Sequence, residues 1–347
     1  MLDFKQVSEK IEQYRTENHI AGMSVAVTDM NGTIYKKGFG YENALRPQIP
    51  TYPDAMYKIA SMTKTITTVV ILRLCQEGHL DLNTPIKKYL PWLTLSRPEA
   101  EETMTLRHLL THTSGLPKDG YLPEGVRDES GIDDAIKETV PKLPMVSLPG
   151  DGVHCYSNWG FNLAACVATT VTGKALKDLY NEYVFAPVGM NRTTFDFYEA
   201  ATYPLSLPHK RDAEGQLSVI HHQRINMAYS GGGGLYSCAD DMCEFARFLL
   251  RGGVTKTGEH LLSEESLADM CSKHILRDNE TGTFYGLGMF VRPFADRYIY
   301  GHTGNYDPYN SSAFLDYKTG LGVVTLYNTN NSELRFKIPE MIFGMME

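Results

Sequence analysis

The sequence predicts a mixed α/β (α+β) fold, with one antiparallel sheet assembled from the two ends of the chain and a helical part between them. Two observations carry this. The β-prone runs Met23 to Thr28 and Thr33 to Phe39 flank Asn31-Gly32, a dipeptide suited to the positive φ angles of a tight hairpin. Alternating runs then return only from about residue 284 onward, and the apolar spacing in between is that of helices.

Taken in order, Phe4, Val7, Ile11 and Tyr14 recur at three- and four-residue spacing, which predicts an amphipathic first helix with its apolar side inward. The hairpin follows. Ser61 to Glu77 (within it TKTITTVVILRLCQE) is helical in character and stops near Gly78. Residues 80 to 190 combine short helical segments, prolines and turn signals with little alternation. Phe284 to Val291, Arg297 to Gly301, Ser311 to Asp316 and Leu321 to Tyr327 read as strands of a meander, the last two joined by Tyr317-Lys318-Thr319-Gly320. A helix-like terminus (SELRFKIPEMIFGMM) closes the chain. The first hairpin is expected to join this meander in one sheet. With no repeat period and no long linker, residues 1–347 are expected to form a single unit, its sheet-containing part about 1–60 and 190–347 and its mostly helical part about 61–189.

Composition narrows the function classes. With 42% hydrophobic and 21% charged residues the chain is an ordinary globular one, not a disordered or fibrous one. Its 33 basic and 41 acidic side chains give a formal charge of -8, which repels phosphate backbones and anionic lipid, so no nucleic-acid partner is expected. No window approaches the roughly 18 apolar residues of a spanning helix, so no membrane span is expected either. The first residues, MLDFKQVSEKIEQYRTENHI, carry charges throughout and no apolar stretch, unlike a secretory signal. A cytoplasmic location is expected, and a periplasmic or extracellular one only if a leader precedes the sequence given. The six cysteines (Cys75, Cys155, Cys166, Cys238, Cys243, Cys271) include no C-x-x-C pair, and reduced thiols suit the cytosol.

Three short motifs carry chemistry. Ser61-Met62-Thr63-Lys64 puts a serine and a lysine on one face of a helix turn, the serine at its amino end. There the helix-end N–H groups favour an oxyanion, and a lysine one turn on can accept the hydroxyl proton. A chain of this composition would hold about one S-x-x-K by chance, so a helix start with a solvent-facing lysine remains an alternative on this motif alone. Tyr156-Ser157-Asn158 is a Y-x-N that follows the turn Leu148-Pro149-Gly150-Asp151-Gly152 and opens a helical run, a rigid corner from which a phenol and an amide can project. Tyr41-Glu42-Asn43 also matches but lies upstream of the serine. A core tyrosine is the plain alternative for Tyr156. The third motif, K/H-T-G, has three candidates: Lys256-Thr257-Gly258 in a Gly-rich loop, Lys318-Thr319-Gly320 at a hairpin tip, and His302-Thr303-Gly304 after the strand RYIYG. Position selects His302, whose backbone can run along a cleft.

Together these residues give the chain its likeness. It resembles the serine β-lactamase and penicillin-binding-protein-like superfamily, most closely its class C β-lactamase-like, esterase and D-aminopeptidase branch. Further segments typical of that family are His108-Leu-Leu-Thr-His-Thr-Ser-Gly-Leu-Pro117, Pro187-Val-Gly-Met-Asn-Arg-Thr193, Gly233-Gly-Leu-Tyr-Ser-Cys-Ala-Asp240 and Tyr285-Gly-Leu-Gly288. The match spans residues 10–330 with the motifs in the right order. The resemblance implies a β-lactamase/DD-peptidase-like fold, an antiparallel sheet flanked by helices plus a helical lobe, with the active site between them. It implies Ser61 as the acylated nucleophile, Lys64 as its proton acceptor, Tyr156 as proton shuttle to the leaving group, and Asn158 orienting Lys64 and a substrate amide. The backbone N–H groups of Ser61 and Asn305 would form the oxyanion hole, and His302, Thr303 and Gly304 would contact substrate. One departure stands out. Penicillin-recognising members usually carry lysine where His302 stands, and a mostly neutral, shorter histidine resembles the esterase and peptidase branch.

The expected activity is therefore that of a serine hydrolase cleaving an ester or amide (peptide) bond through a Ser61 acyl-enzyme. No metal and no organic cofactor are expected, and the substrate is a small molecule or short peptide. Left open are a D-amino-acid-specific peptidase, a penicillin-binding or β-lactamase enzyme, an acyltransferase and a catalytically silent binding protein, as well as the acyl group and the oligomeric state. The intact Ser61, Lys64 and Tyr156 speak against silence. His108 and His112, four apart, lack the glutamate of a zinc helix and are read as structural around the Thr-Ser-Gly turn. His221-His222, Cys238 and Cys243 have no ligand spacing. Gly231 to Gly234 lacks the context of a phosphate loop and is read as letting backbone pass close to the cleft. Tyr298, Tyr300, Tyr306 and Tyr309 could line substrate or pack beside the sheet.

Overall fold

Helix α1 (Phe4–Glu17) begins where Asp3 accepts hydrogen bonds from the N–H groups of Lys5 and Gln6, and it buries Val7 and Ile11. The computed structural model, which describes residues 2–118, 132–221, 227 and 230–346, continues into strands β1 (Gly22–Thr28) and β2 (Thr33–Gly40). Their turn is tied by the Asp29 carboxylate, which accepts from the N–H groups of Asn31 and Gly32 at 2.7 and 2.9 Å. Short strands β3 (Tyr57–Lys58), β4 (His209–Arg211), β5 (Leu217–Val219) and β6 (Tyr236–Ser237) pair off the main sheet as β3 with β6 and β4 with β5.

The main sheet is completed by β7 (Ile275–Asp278), β8 (Thr283–Tyr285), β9 (Phe290–Phe294), β10 (Arg297–Tyr306), β11 (Tyr309–Asp316) and β12 (Leu321–Tyr327). Its order is β2-β1-β12-β11-β10-β9-β8-β7, so the first hairpin joins the late meander through antiparallel β1 and β12. Both faces are covered. Along β1, Met23, Val25 and Val27 enter one apolar cluster with Val7, Ile11, Ile338 and Ile342, while Ala26 enters the other with Phe245, Ala246 and Leu249. This period-two split sets α1 and the terminal helix Leu334–Gly344 on one face and helix Ala239–Leu250 on the other, which is why β1 and β12 are buried at every position.

Helix α2 (Thr63–Gln76) is apolar around most of its circumference and buries eleven residues, Thr63 to Leu72 and Leu74. Its hydroxyls are all placed on acceptors: Thr65 Oγ1 donates to the Gly288 carbonyl at 2.8 Å and Thr67 Oγ1 to that of Gly231 at 2.7 Å. Helix Asn158–Thr172 packs on it, with Phe161, Ala164 and Val167 in the same cluster as Ile66 and Val70.

Three sequence expectations change. The run Phe284 to Val291 is two strands, because Gly288 sits at φ 66 and a Cβ there would lie 2.0 Å from Thr68 Oγ1. The strand expected at Arg297 to Gly301 runs on to Tyr306, so His302-Thr303-Gly304 lies inside a strand. The edge strand β7 was not foreseen, since its residues are polar or half-exposed. His222 lies outside the described residues.

Candidate active site

The turn Ala60–Met62 delivers Ser61 at the entrance to α2. Ala60 has φ 49, a left-handed conformation that costs a residue with a Cβ about 1 to 3 kcal/mol. Neighbours hold it there. Ile59 N–H donates to the Leu235 carbonyl at 2.9 Å, Ser311 Oγ donates to the Ile59 carbonyl at 2.7 Å, and Thr63 Oγ1 donates to the Ala60 carbonyl at 2.7 Å. Strand β10 presses on the same turn through Gly304, where a Cβ would stand 2.1 Å from the Ile59 oxygen. The half-buried Ser61 side chain thus enters the cleft from a turn clamped between β11, β10 and α2.

Lys64 lies one helical turn on and is fully buried. Its Nζ is 3.1 Å from Ser61 Oγ and 2.7 Å from Asn158 Oδ1, and it also bonds the Gly232 carbonyl. The Tyr156 ring lies beneath it, 4.8 Å from Nζ to centroid. Two of these partners, an amide oxygen and a backbone carbonyl, can only accept. A neutral amine directs both its N–H bonds to them and leaves its lone pair toward the Ser61 hydroxyl, whereas an ammonium directs its third proton there. The site accommodates both states without an orphaned group. Gly232 is in turn held by Asn162 Oδ1, which accepts its N–H at 2.9 Å.

Tyr156 and Asn158 stand at the corner before helix Asn158–Thr172, whose N-cap, Ser157, accepts the Gly160 N–H at 3.1 Å. That corner brings Asn158 to Lys64. Tyr41-Glu42-Asn43 stays with the first hairpin, where Tyr41 bridges to Pro50.

The third motif differs from its expectation. His302 is 2% exposed and does not open onto the cleft. Its Nδ1 lies on the Thr303 carbonyl, an acceptor, so Nδ1 carries the proton and Nε2 accepts from the Tyr285 hydroxyl at 2.9 Å. Phe290 stacks on the ring at 4.5 Å. Burial, and then the Lys64 charge, push its pKa well below the ordinary histidine range. The reading of His302 as a side chain in contact with substrate is corrected accordingly: it is a neutral, enclosed ring. Thr303 and Gly304 are buried as well. What β10 offers the cleft comes one residue later, at the exposed Asn305, whose Nδ2 donates to Asn310 Oδ1 at 2.9 Å. The rejected candidates are on the surface, Lys256 in its loop and Lys318 in an ion pair of 2.6 Å with Asp296 at the β11–β12 turn.

The cleft has a volume of about 240 Å³, and Ser61, Asn158, Gly232, Asn305, Tyr306 and Asp307 are among its walls. Of the four tyrosines weighed from sequence, Tyr306 lines it; Tyr309 donates to the Ser206 carbonyl at 2.6 Å, Tyr300 meets Tyr317 edge to face at 5.4 Å and Tyr298 lies under Lys273 at 3.7 Å. Sequence reasoning missed Asp307, which no motif marks, and Lys58, whose ammonium sits 4.1 Å from the Tyr306 ring and which burial lowers to about 8. His108 has a structural role, but at the start of its helix, where it completes a capping box with Thr105, and not around the Thr-Ser-Gly turn as read from sequence.

An eight-stranded antiparallel sheet, a helical part beside it and a Ser-Lys-Asn cleft between them define a serine-centred α/β protein of one recognisable class. The chain belongs to the Beta-lactamase family, whose model matches residues 7–341. It is 24% identical over 333 residues to "Protein flp" of Staphylococcus aureus (strain MW2), covering 94% of this chain and 63% of that protein, so it spans less than two thirds of that curated relative's length. Among solved structures it is similar to the octameric penicillin-binding protein homologue of Pyrococcus abyssi, at TM-score 0.85 and 25% identity over 99% of this chain and 77% of that one. It also shares its fold with EstCE1, described as a hydrolase with promiscuous acyltransferase activity, at TM-score 0.82 and 21% identity over 98% and 97% of the two chains.

Proposed function

We propose that the protein is a serine hydrolase that opens an ester or amide bond through an acyl-enzyme on Ser61. The observation that carries this is the placement of Lys64 Nζ 3.1 Å from Ser61 Oγ while two obligate acceptors occupy its other directions. Lys64, as the neutral amine, takes the hydroxyl proton as Ser61 Oγ attacks the scissile carbonyl. The carbonyl oxygen becomes an oxyanion between the backbone N–H groups of Ser61 and Asn305, both at the cleft wall. Tyr156 passes the proton to the departing alcohol or amine, and water then releases the acyl group by the reverse route. Asn158 keeps Lys64 aimed throughout. The enclosed, neutral His302 supplies no fixed cation for a β-lactam carboxylate, so an ester or simple amide is favoured over a penicillin.

A second reading has one observation of its own. Asp307 is exposed at the cleft wall and makes no ion pair among the described residues, so an acyl group bearing an ammonium, as in an aminoacyl amide, would find a counter-charge there. The test is intact-mass spectrometry after exposure to a fluorophosphonate, beside a turnover panel of aryl esters, aminoacyl amides and a penicillin. One adduct that disappears in Ser61→Ala is expected, with ester or amide turnover. Labelling that survives in Ser61→Ala, or no turnover of any ester or amide, would contradict the proposal.

A further inference from the structure

His112 stands outside the cleft wall and belongs to none of the three motifs, yet it touches every residue of the corner that presents Tyr156 and Asn158. Its carbonyl accepts the Cys155 N–H at 2.8 Å. Its ring lies 4.2 Å from that of Tyr156. Its Nδ1 accepts the Ser157 N–H at 3.0 Å, immediately before Asn158. It is completely buried, with Phe161 and Tyr285 against its other sides at 5.1 and 4.6 Å.

Two further facts show that the side chain matters rather than the space it fills. His112 has φ 60, where glycine would be relaxed and a residue with a Cβ is strained. Because Nδ1 accepts, the proton is on Nε2, which is buried and finds no hydrogen-bond acceptor among the described residues. The left-handed backbone closes the helix Leu106–Leu110, where the Thr113 N–H donates to the His108 carbonyl at 2.9 Å, and the side chain offsets its cost there through what its other atoms hold. Those atoms hold the backbone at Cys155 and Ser157 and the face of Tyr156. Asn158, one residue on, reaches Lys64 at 2.7 Å.

We infer that His112 is a positioning residue, the neutral imidazole that fixes the Tyr156-Ser157-Asn158 corner at the distance from Lys64 that proton transfer requires. The inference rests on the roles proposed above for Tyr156 and Asn158. Displacing such groups by about 1 Å is enough to cost on the order of 10²-fold in rate. Binding of substrate, which His112 does not touch, is expected to change little.

The left-handed backbone offers a clean pair of variants. Asparagine tolerates positive φ and carries Oδ1 where the imidazole carries Nδ1, so His112→Asn keeps the acceptor for Ser157 N–H. His112→Phe keeps the ring against Tyr156 and loses the acceptor. Ester turnover is measured for the parent, Ser61→Ala and both variants, with thermal melting of each well above the assay temperature as the control. In His112→Phe, kcat is expected to fall roughly 10- to 100-fold with KM within about threefold, and His112→Asn to recover kcat to within about threefold of the parent. A folded His112→Phe with parental kcat, a rise in KM alone, or a folded His112→Asn no faster than a tenth of the parent would overturn the inference. If His112→Phe fails to fold, the asparagine variant decides by the same limits. Parental turnover that persists in Ser61→Ala would instead refute the hydrolase reading itself.

Discussion

The two sides of the cleft are built on opposite plans. On the α2 side, Ser61, Lys64, Asn158 and the Gly232 carbonyl form a polar cluster in which donors meet acceptors. On the β10 side, His302 sits among Tyr285, Phe290 and Tyr156 as an enclosed ring, and the strand meets the cleft only at its end, through Asn305 and Tyr306. The first side contributes side-chain functional groups, the second contributes shape and backbone position. A change on the α2 side should therefore reach the chemistry first, and one on the β10 side should reach stability first.

The largest effect is expected at Lys64. Lys64→Met removes the proton acceptor and the donor that the Asn158 oxygen and the Gly232 carbonyl share, so kcat should fall by about 10³-fold or more. Steady-state ester kinetics check this, and turnover within tenfold of the parent would move the base elsewhere. Next comes Tyr156→Phe, which keeps the ring under Lys64 but removes the phenol; a loss of about 10²- to 10⁴-fold in kcat with little change in KM is expected.

On the other side, Gly304→Ala would drive a Cβ into the Ile59 carbonyl and Ser311 Oγ, which lie 2.1 and 2.2 Å from its position. The strand must move off the Ser61 turn, so kcat and the melting temperature should both drop. His302→Ala separates the plans most sharply. It empties a buried ring site and orphans the Tyr285 hydroxyl, for a stability loss of about 2 to 4 kcal/mol by denaturant melt, with kcat at a permissive temperature reduced less than tenfold. If stability holds while KM rises steeply, His302 touches substrate after all.

The same buried histidines set a pH dependence. His112 and His302 are held well below their ordinary range, first by burial and then by Lys64, so the unfolded chain takes up protons that the folded chain refuses. Stability should then be full above about pH 6.5 and fall as the pH drops below it. His302→Ala should flatten that slope, and an unchanged slope would show that the ring is not held neutral. The smallest effect is expected at Lys318→Ala, whose ion pair with Asp296 is solvent-exposed and screened, so its melting temperature and turnover should both match the parent.

How much of this was legible in the sequence follows the same division. The hairpin at Asn31-Gly32, the helix at Ser61 and the pairing of first and last strands were readable because periodicity and turn chemistry are local or nearly so. Ser61 and Lys64 were readable as neighbours because helix spacing fixes which side chains share a face, whereas Asn158 was found only through its Y-x-N motif and the family likeness. His302 was expected just past a strand and lies within it, and motif spacing does not say on which side of a buried strand a ring is enclosed. Gly288, whose break divides a predicted strand, and Asp307 depend on contacts between segments more than 200 residues apart in sequence, which no local pattern encodes. His112 was read as structural, and its backbone does close the helix Leu106–Leu110; what its ring holds depends on residues 155–157, about forty positions on, which no local pattern encodes.

The central claim, that chemistry passes through an acyl group on Ser61, is tested most directly by acid-quenching the protein during turnover of a slow ester and locating the added mass by peptide mapping. The account predicts a transient acyl adduct on the peptide containing Ser61, formed and lost at rates that bracket kcat, longer-lived in Tyr156→Phe and missing in Ser61→Ala. Turnover without any acyl group on Ser61, or an adduct on another residue that is kinetically competent, would contradict it.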